Sequence, residues 1–116
     1  MILDTNALSA FVDGQPEVGA ILGLQSRAAI PVIVVGEFRY GIMGSKHRKI
    51  YEKWLATHLR HFDLLAITAE TTTLKRLGRP ISANDGWIAA LAIQHRLPIL
   101  SRDEHFDALS DVRIRW

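Results

Sequence analysis

The chain contains no cysteine. That excludes disulfide staples and thiolate metal sites, and leaves oxygen and imidazole as the donors to consider. It also lacks any apolar run near the roughly 20 residues needed to span a bilayer; the longest stretches, residues 30–36 and 88–93, are far shorter. No basic segment with an apolar stretch and cleavage site precedes Asp4, so a secretory leader is not expected. There is no glycine-rich phosphate loop, repeat, low-complexity tract or linker. These absences predict one cytoplasmic domain over residues 1–116 that stays away from membranes. At 116 residues, 48% hydrophobic and 22% charged, such a domain buries roughly two-thirds of its unfolded surface and folds unaided.

The net charge is only +2, with 14 basic and 12 acidic side chains. Four of the acids, Asp4, Glu37, Asp85 and Asp103, stand apart by position. With those four set aside as one pocket, eight acids remain to face the 14 basic side chains. An acidic hole in a basic surface suits a polyanionic substrate.

Residues 1–3 form an apolar run that reads as a buried strand ending at Asp4. Residues 5–12 then form a helix with Asn6 as its cap. Asp13-Gly14-Gln15-Pro16 is turn chemistry, and Pro16 suits the first position of a second helix over residues 16–27, with Val18, Ile21, Leu22 and Leu24 on its apolar face. The β-branched run Pro31-Val32-Ile33-Val34-Val35 predicts a covered parallel strand, with Gly36-Glu37 turning into a helix that ends near Gly44. A long helix is expected over residues 46–60, its apolar side marked by Ile50, Trp54, Leu55 and Leu59. A strand over 62–67 and a short helix over 69–77, stopped by Gly78 and Pro80, follow. Ser82-Ala83-Asn84-Asp85 then precedes an apolar helix over 86–95. A strand over 97–100, a short helix over 104–109 and an edge strand over 112–114 complete the chain. Strands alternating with helices predict an α/β domain with a central parallel sheet of four to five strands, flanked by helices on both faces.

In such sheets ligands bind beyond the carboxyl ends of the strands. Asp4 closes the first strand, Glu37 follows the second, Asp103 follows the fourth, and Asp85 starts the helix leading into the fourth. Four bare carboxylates in one pocket repel and raise each other's pKa; a divalent cation resolves that conflict. An all-oxygen donor set selects a hard ion, Mg²⁺ or Mn²⁺ in its place. The five histidines form no HExxH spacing, which argues against zinc. Mg²⁺ favours phosphate oxygens, lowers the pKa of water and stabilises charge in an in-line displacement, so the cluster points to phosphodiester hydrolysis.

Each acid also has an ordinary structural explanation. Asp4 and Asp103 suit helix N-caps, Asp85 suits first-turn dipole compensation, and Glu37 suits a solvated helix face. Thr5, Asn6, Asn84 and Ser101 flank the acids and are candidates for orienting them, or for capping alone. Arg102 is a candidate contact for substrate phosphate. Lys46-His47-Arg48-Lys49 is a basic cluster that reads either as a solvated face or as an RNA contact.

Taken together, Leu3-Asp4-Thr5-Asn6, Gly36-Glu37, Gly78-Arg79-Pro80-Ile81 with Asn84-Asp85-Gly86-Trp87-Ile88-Ala89-Ala90, and Ser101-Arg102-Asp103-Glu104-His105-Phe106 resemble the PIN domain family, and most of all its VapC-type toxins. The resemblance runs in order over essentially the whole chain. It implies a Mg²⁺-dependent endoribonuclease in which Asp4, Glu37, Asp85 and Asp103 bind one or two metal ions and position the attacking water, with Thr5 in support. It also implies RNA as substrate (tRNA and mRNA are the natural candidates), a homodimer, and a cognate antitoxin. The chain departs from the family pattern at Gly86, where a larger apolar residue is common. Two further departures are a shortened segment between Ile67 and Gly78 and a first strand unusually close to Asp4.

Two other readings compete. A phosphatase with Asp4 as nucleophile usually needs a second acid two residues on, where this chain has Asn6. A catalytically inert PIN-fold module that binds RNA or protein keeps the fold without the chemistry.

Overall fold

The computed structural model describes residues 1–25, 27–75, 82–104, 106, 113–114 and 116. Five short parallel strands form one sheet: β1 (Ile2–Leu3), β2 (Ala29–Pro31), β3 (Asp63–Leu65), β4 (Ile99–Leu100) and β5 (Arg113–Ile114), in spatial order β3-β2-β1-β4-β5. β1 therefore lies at the centre. Its Ile2 is in register with Ala29 on one side and Ile99 on the other. The chain runs outward from β1 to β2 and β3, then returns to lay β4 and β5 on the opposite side. That reversal makes the gap between β1 and β4 the topological switch point of the sheet.

The helices are α1 (Thr5–Val12), α2 (Pro16–Gly23), α3 (Val32–Ile42), α4 (Arg48–His58) with a 3-10 turn at Leu59–His61, α5 (Ala69–Leu74) and α6 (Ala83–His95). Among them, α1 packs on α2 and α3, α3 on α4, and α5 on α6. The sheet supplies Ile2, Leu3, Ile30, Ile99 and Leu100 to the core, which Leu8, Val18, Val34, Leu55, Ile88, Leu91 and Phe106 close. Phe11 meets the edges of Trp54 and Phe62 at centroid distances of 5.9 and 6.1 Å, tying α1 to α4 and to the approach to β3. The expected α/β architecture is the one observed, and of the four to five parallel strands expected the sheet has five. No helix among the described residues is long and apolar enough to cross a membrane.

The largest difference from the sequence reading concerns the run Pro31–Val35, which is not a strand. β2 stops at Pro31, the residue before α3, and Val32 begins the helix. Val34, Val35, Phe38 and Ile42 then recur at helical spacing on the buried face, while Val32 is 50% exposed. Burial of a 3.6-residue period here outweighs the β preference of valine and isoleucine, which is a weak prior in any case.

Smaller corrections concern caps and element ends. The cap of α1 is Asp4, not Asn6: Asp4 is extended (ψ 179°) and its Oδ1 accepts from the Ala7 N–H at 2.7 Å, whereas Asn6 lies exposed within the first turn. α2 ends at Gly23 rather than near residue 27, so Leu24 leaves the helical period and is 85% exposed. Ile50, in the first turn of α4, is 66% exposed, and Leu55 is the residue this helix buries fully. α6 starts at Ala83 rather than at Gly86, capped by the Ser82 hydroxyl accepting from the Asp85 N–H. The strands expected over 62–67 and 97–100 shorten to β3 and β4. Gly78, Pro80 and most of the helix expected over 104–109 lie outside the described residues.

Candidate active site

Asp4 sits at the carboxyl end of β1, beside β4, where the strand order reverses. Its amide donates to the Leu100 carbonyl at 3.4 Å, an extension of the β1–β4 pairing past Leu3. The side chain is 3% exposed. One carboxylate oxygen caps α1, and the other accepts a short hydrogen bond from the buried Ser101 hydroxyl. Ser101 is itself held, because its oxygen accepts from the Asp103 N–H at 2.9 Å and its amide donates to Ile114. One hydroxyl thus links the ends of β1 and β4 and fixes the backbone that carries Asp103.

Burial pushes the Asp4 carboxyl above its usual value. The Ser101 and Ala7 hydrogen bonds pull it down, and the charges of Asp103 and Asp85 push it up again. Burial is the largest of these effects: a carboxylate moved out of water loses solvation that two hydrogen bonds only partly replace. The contributions of Asp85 and Asp103 also mean that both carboxylates stand within electrostatic reach of Asp4. Asp85 lies in the first turn of α6, on the amino side of its helix dipole.

Glu37 reaches the same region by another route. It follows β2 by a turn and a half of α3 rather than standing at a strand end, and its Oε1 accepts from the Thr5 hydroxyl at 3.0 Å. Thr5 opens α1 directly after Asp4, so this bond ties α3 to the element that Asp4 caps. Thr5, Glu37 and Asn84 line one open cleft of about 500 Å³ together with Ile33, Gly36 and Tyr40.

Of the residues expected at the site, Asp4, Ser101 and the Asp103 amide are joined by hydrogen bonds, and the charge of Asp85 acts on Asp4. Thr5, Glu37 and Asn84 share the adjoining cleft. Asn6 is exposed on α1, and Arg102 is exposed with its guanidinium 5.7 Å from the Trp116 ring centroid. Ile33 and Tyr40 line the cleft without having been singled out in the sequence. They stand four residues before and three after Glu37, the same helical face, a signal available only once the stretch is known to be helix.

The donor set is carboxylate oxygen throughout and fits a hard divalent ion. The buried and electrostatically opposed Asp4 is a group whose ionised form a cation stabilises. Among the described residues no three carboxylate or histidine side chains are already gathered into a metal cage.

The PIN domain family model matches residues 1–112. The toxin FitB of Neisseria gonorrhoeae is 30% identical over 132 residues, covering 98% of this chain and 95% of its own length. Ribonuclease VapC5 of Mycobacterium tuberculosis is 28% identical over 118 residues, covering 93% and 86%. Among solved structures, FitAcB from Neisseria gonorrhoeae aligns with a TM-score of 0.80 at 28% identity, covering 99% of this chain and 96% of that one. VapBC2 from Rickettsia felis, bound to a DNA fragment from its promoter, shares the fold at a TM-score of 0.82 and 21% identity, covering 99% and 97%.

Proposed function

The chain belongs to the PIN domain family and has VapC-type toxins among its relatives, and from that premise we propose that it is a Mg²⁺-dependent endoribonuclease, the toxin of a toxin–antitoxin pair. The observation that carries this reading is Asp4: a buried carboxylate at the switch point of the sheet, opposed by the charges of Asp85 and Asp103. We read residues 1–116 as one nuclease domain.

In this reading Asp4, Glu37, Asp85 and Asp103 hold Mg²⁺, or Mn²⁺ in its place. The cation supplies positive charge against the charge that develops on the phosphate in an in-line displacement. The chain's own groups do the positioning. Ser101 orients Asp4 through one oxygen while the Ala7 amide holds the other, so the carboxylate does not rotate as charge develops. Thr5 holds Glu37 toward the cleft, where the carboxylate is placed to orient and deprotonate the attacking water. Asn84 at the cleft and Arg102 beside Asp103 are the candidate contacts to substrate phosphate oxygens. Asn6 is a lesser supporting candidate.

The antitoxin partner is supported by VapBC-5 from Mycobacterium tuberculosis, a member of the VapBC family of toxin-antitoxin systems that shares the fold at 27% identity. A homodimer and a cytoplasmic location belong to the same proposal. The test is cleavage of defined RNAs, tRNA included, with and without Mg²⁺, by wild type and by Asp85→Asn. Cleavage that requires both the metal and Asp85 is expected. Undiminished cleavage by Asp85→Asn, or in excess EDTA, rejects the proposal. RNA bound tightly yet left intact at every Mg²⁺ or Mn²⁺ concentration makes the protein an inert binding module.

A further inference from the structure

A second groove, of about 310 Å³, adjoins the cleft. Thr5 and Glu37 line both, so the two hollows meet at these residues. The second one runs between α1 and α3, past Ser9, and opens where Ser45 and Tyr51 face Asp13. Its polar walls are mostly hydroxyls. Asp13 is the one carboxylate besides Glu37, and it accepts from the Tyr51 hydroxyl at 3.1 Å.

At that mouth the chain passes from Ser45 into Lys46, His47, Arg48 and Lys49, all exposed, with Arg48 opening α4. The Ser45 hydroxyl accepts from the His47 amide at 3.0 Å, fixing the turn that presents them. Cations at a helix amino terminus oppose the macrodipole and are unfavourable there. The first turn of α4 carries no acidic residue to offset them. Glu52, three and four residues further along, is within helical reach of Lys49 and Arg48, yet it pairs with Arg39 of α3 at 3.6 Å. Among the described residues, Lys46, Arg48 and Lys49 make no ion pair. Three cations stand where local stability disfavours them, without an ion-pair partner among the described residues, at the end of a groove that begins at Glu37 of the candidate site. A local rule broken without structural gain is the mark of a functional constraint.

We propose that the RNA strand runs from the carboxylate site along the groove between α1 and α3, and that phosphates flanking the scissile one rest on Lys46, Arg48 and Lys49. The proposal rests on the ribonuclease reading for its substrate class. It assigns to the groove between α1 and α3 the path of a single strand.

The test is fluorescence anisotropy of a labelled single-stranded RNA binding to the Asp85→Asn protein over a range of salt, with and without Lys46→Gln, Arg48→Gln and Lys49→Gln together. Each phosphate contact to a single strand contributes about 0.7 to the slope of log K against log salt. Losing three lowers the slope by about 2 and the affinity at 0.15 M salt by about 50-fold. Arg60→Gln, on the 3-10 turn, leaves both unchanged. Asp13→Asn, which removes the carboxylate at the mouth, raises the affinity. A wild-type slope in the triple variant overturns the proposal and returns the cluster to another polyanion, such as an acidic protein segment. An RNA bound with the full slope by the wild-type protein but never cleaved rejects the ribonuclease reading, while the comparison of slopes still decides the route of the strand. Melting temperature separates a structural role: removing the three cations does not lower it, since they oppose the dipole of α4.

Discussion

Replacing Asp4 separates what its shape contributes from what its charge contributes. In Asp4→Ala the cap of α1 disappears, at a cost of about 1 kcal/mol. The Ser101 hydroxyl loses its buried acceptor as well, which costs about 1–3 kcal/mol. The sum is about 2–4 kcal/mol. A domain of 116 residues unfolds with an entropy of about 0.24 kcal/mol/K, so the melting temperature should fall by about 8–16 °C. Asp4→Asn keeps an oxygen for the Ala7 amide, and asparagine caps as well as aspartate. Its amide donates to the Ser101 oxygen, so the Ser101 hydroxyl loses its acceptor here too, but the buried charge opposed by Asp85 and Asp103 is gone. In EDTA at pH 7 this variant, with its cap kept and its buried charge removed, should melt well above Asp4→Ala. Addition of Mg²⁺ or Mn²⁺ should raise the melting temperature of wild type and leave that of Asp4→Asn unmoved, with RNA cleavage lost. Thermal melts of the three proteins, each with and without metal, decide the matter. An Asp4→Asn protein as unstable as Asp4→Ala in EDTA, or one that keeps the metal-induced rise, refutes the view of Asp4 as a buried charge waiting for a cation.

The same carboxyl gives a pH dependence. Its folded pKa is raised above the unfolded value of about 3.8, so the stability it contributes is complete below that value and is lost as pH rises through the folded pKa. Chemical denaturation of the metal-free protein from pH 4 upward should show wild type losing stability relative to Asp4→Asn, by no more than about 1.4 kcal/mol per pH unit; parallel profiles would remove the argument. Thr5→Val deletes the hydroxyl that holds Glu37 while preserving shape, and should lower metal affinity or cleavage about 10–100-fold with little change in melting. Leu8→Ala, at a fully buried position on α1, should cost about 3 kcal/mol in urea titrations. Arg27→Gln removes an exposed pair with Asp63 and should cost less than about 1 kcal/mol in the same assay.

Much of the fold is legible in the sequence because apolar runs and breakers agree there. Pro16 opens α2 as its chemistry dictates, and the alternation of strand and helix yields a parallel sheet. The main misreading has one cause, that tertiary burial decides what local preference leaves open. Residues 31–35 look like a strand by β-branching, yet only their spacing against the core makes them helix. That error propagated to the site, since Ile33 and Tyr40 share a face with Glu37 only on a helix. The acids themselves stood out because parallel sheets put chemistry beyond strand ends, a rule that needs no exact boundaries. What the sequence withheld was the sheet order, and with it the reason Asp4 and Ser101 meet. Asp4 also shows that capping and a candidate catalytic role are not alternatives, because its two oxygens face different partners.

The bond between Asp4 and Ser101 spans 97 positions of the chain, and this separation has a consequence for synthesis. β1 is two residues long and cannot be completed on its β4 side until β4 has left the ribosome. A contact so distant in sequence forms late, because the loop-closure entropy must be overcome before the contact is gained. A nascent chain that already exposes Asp4, Glu37 and Asp85 therefore still lacks Ser101 and Asp103. If the proposed site needs Ser101 and Asp103, the chain acquires its activity only once β4 has docked beside β1.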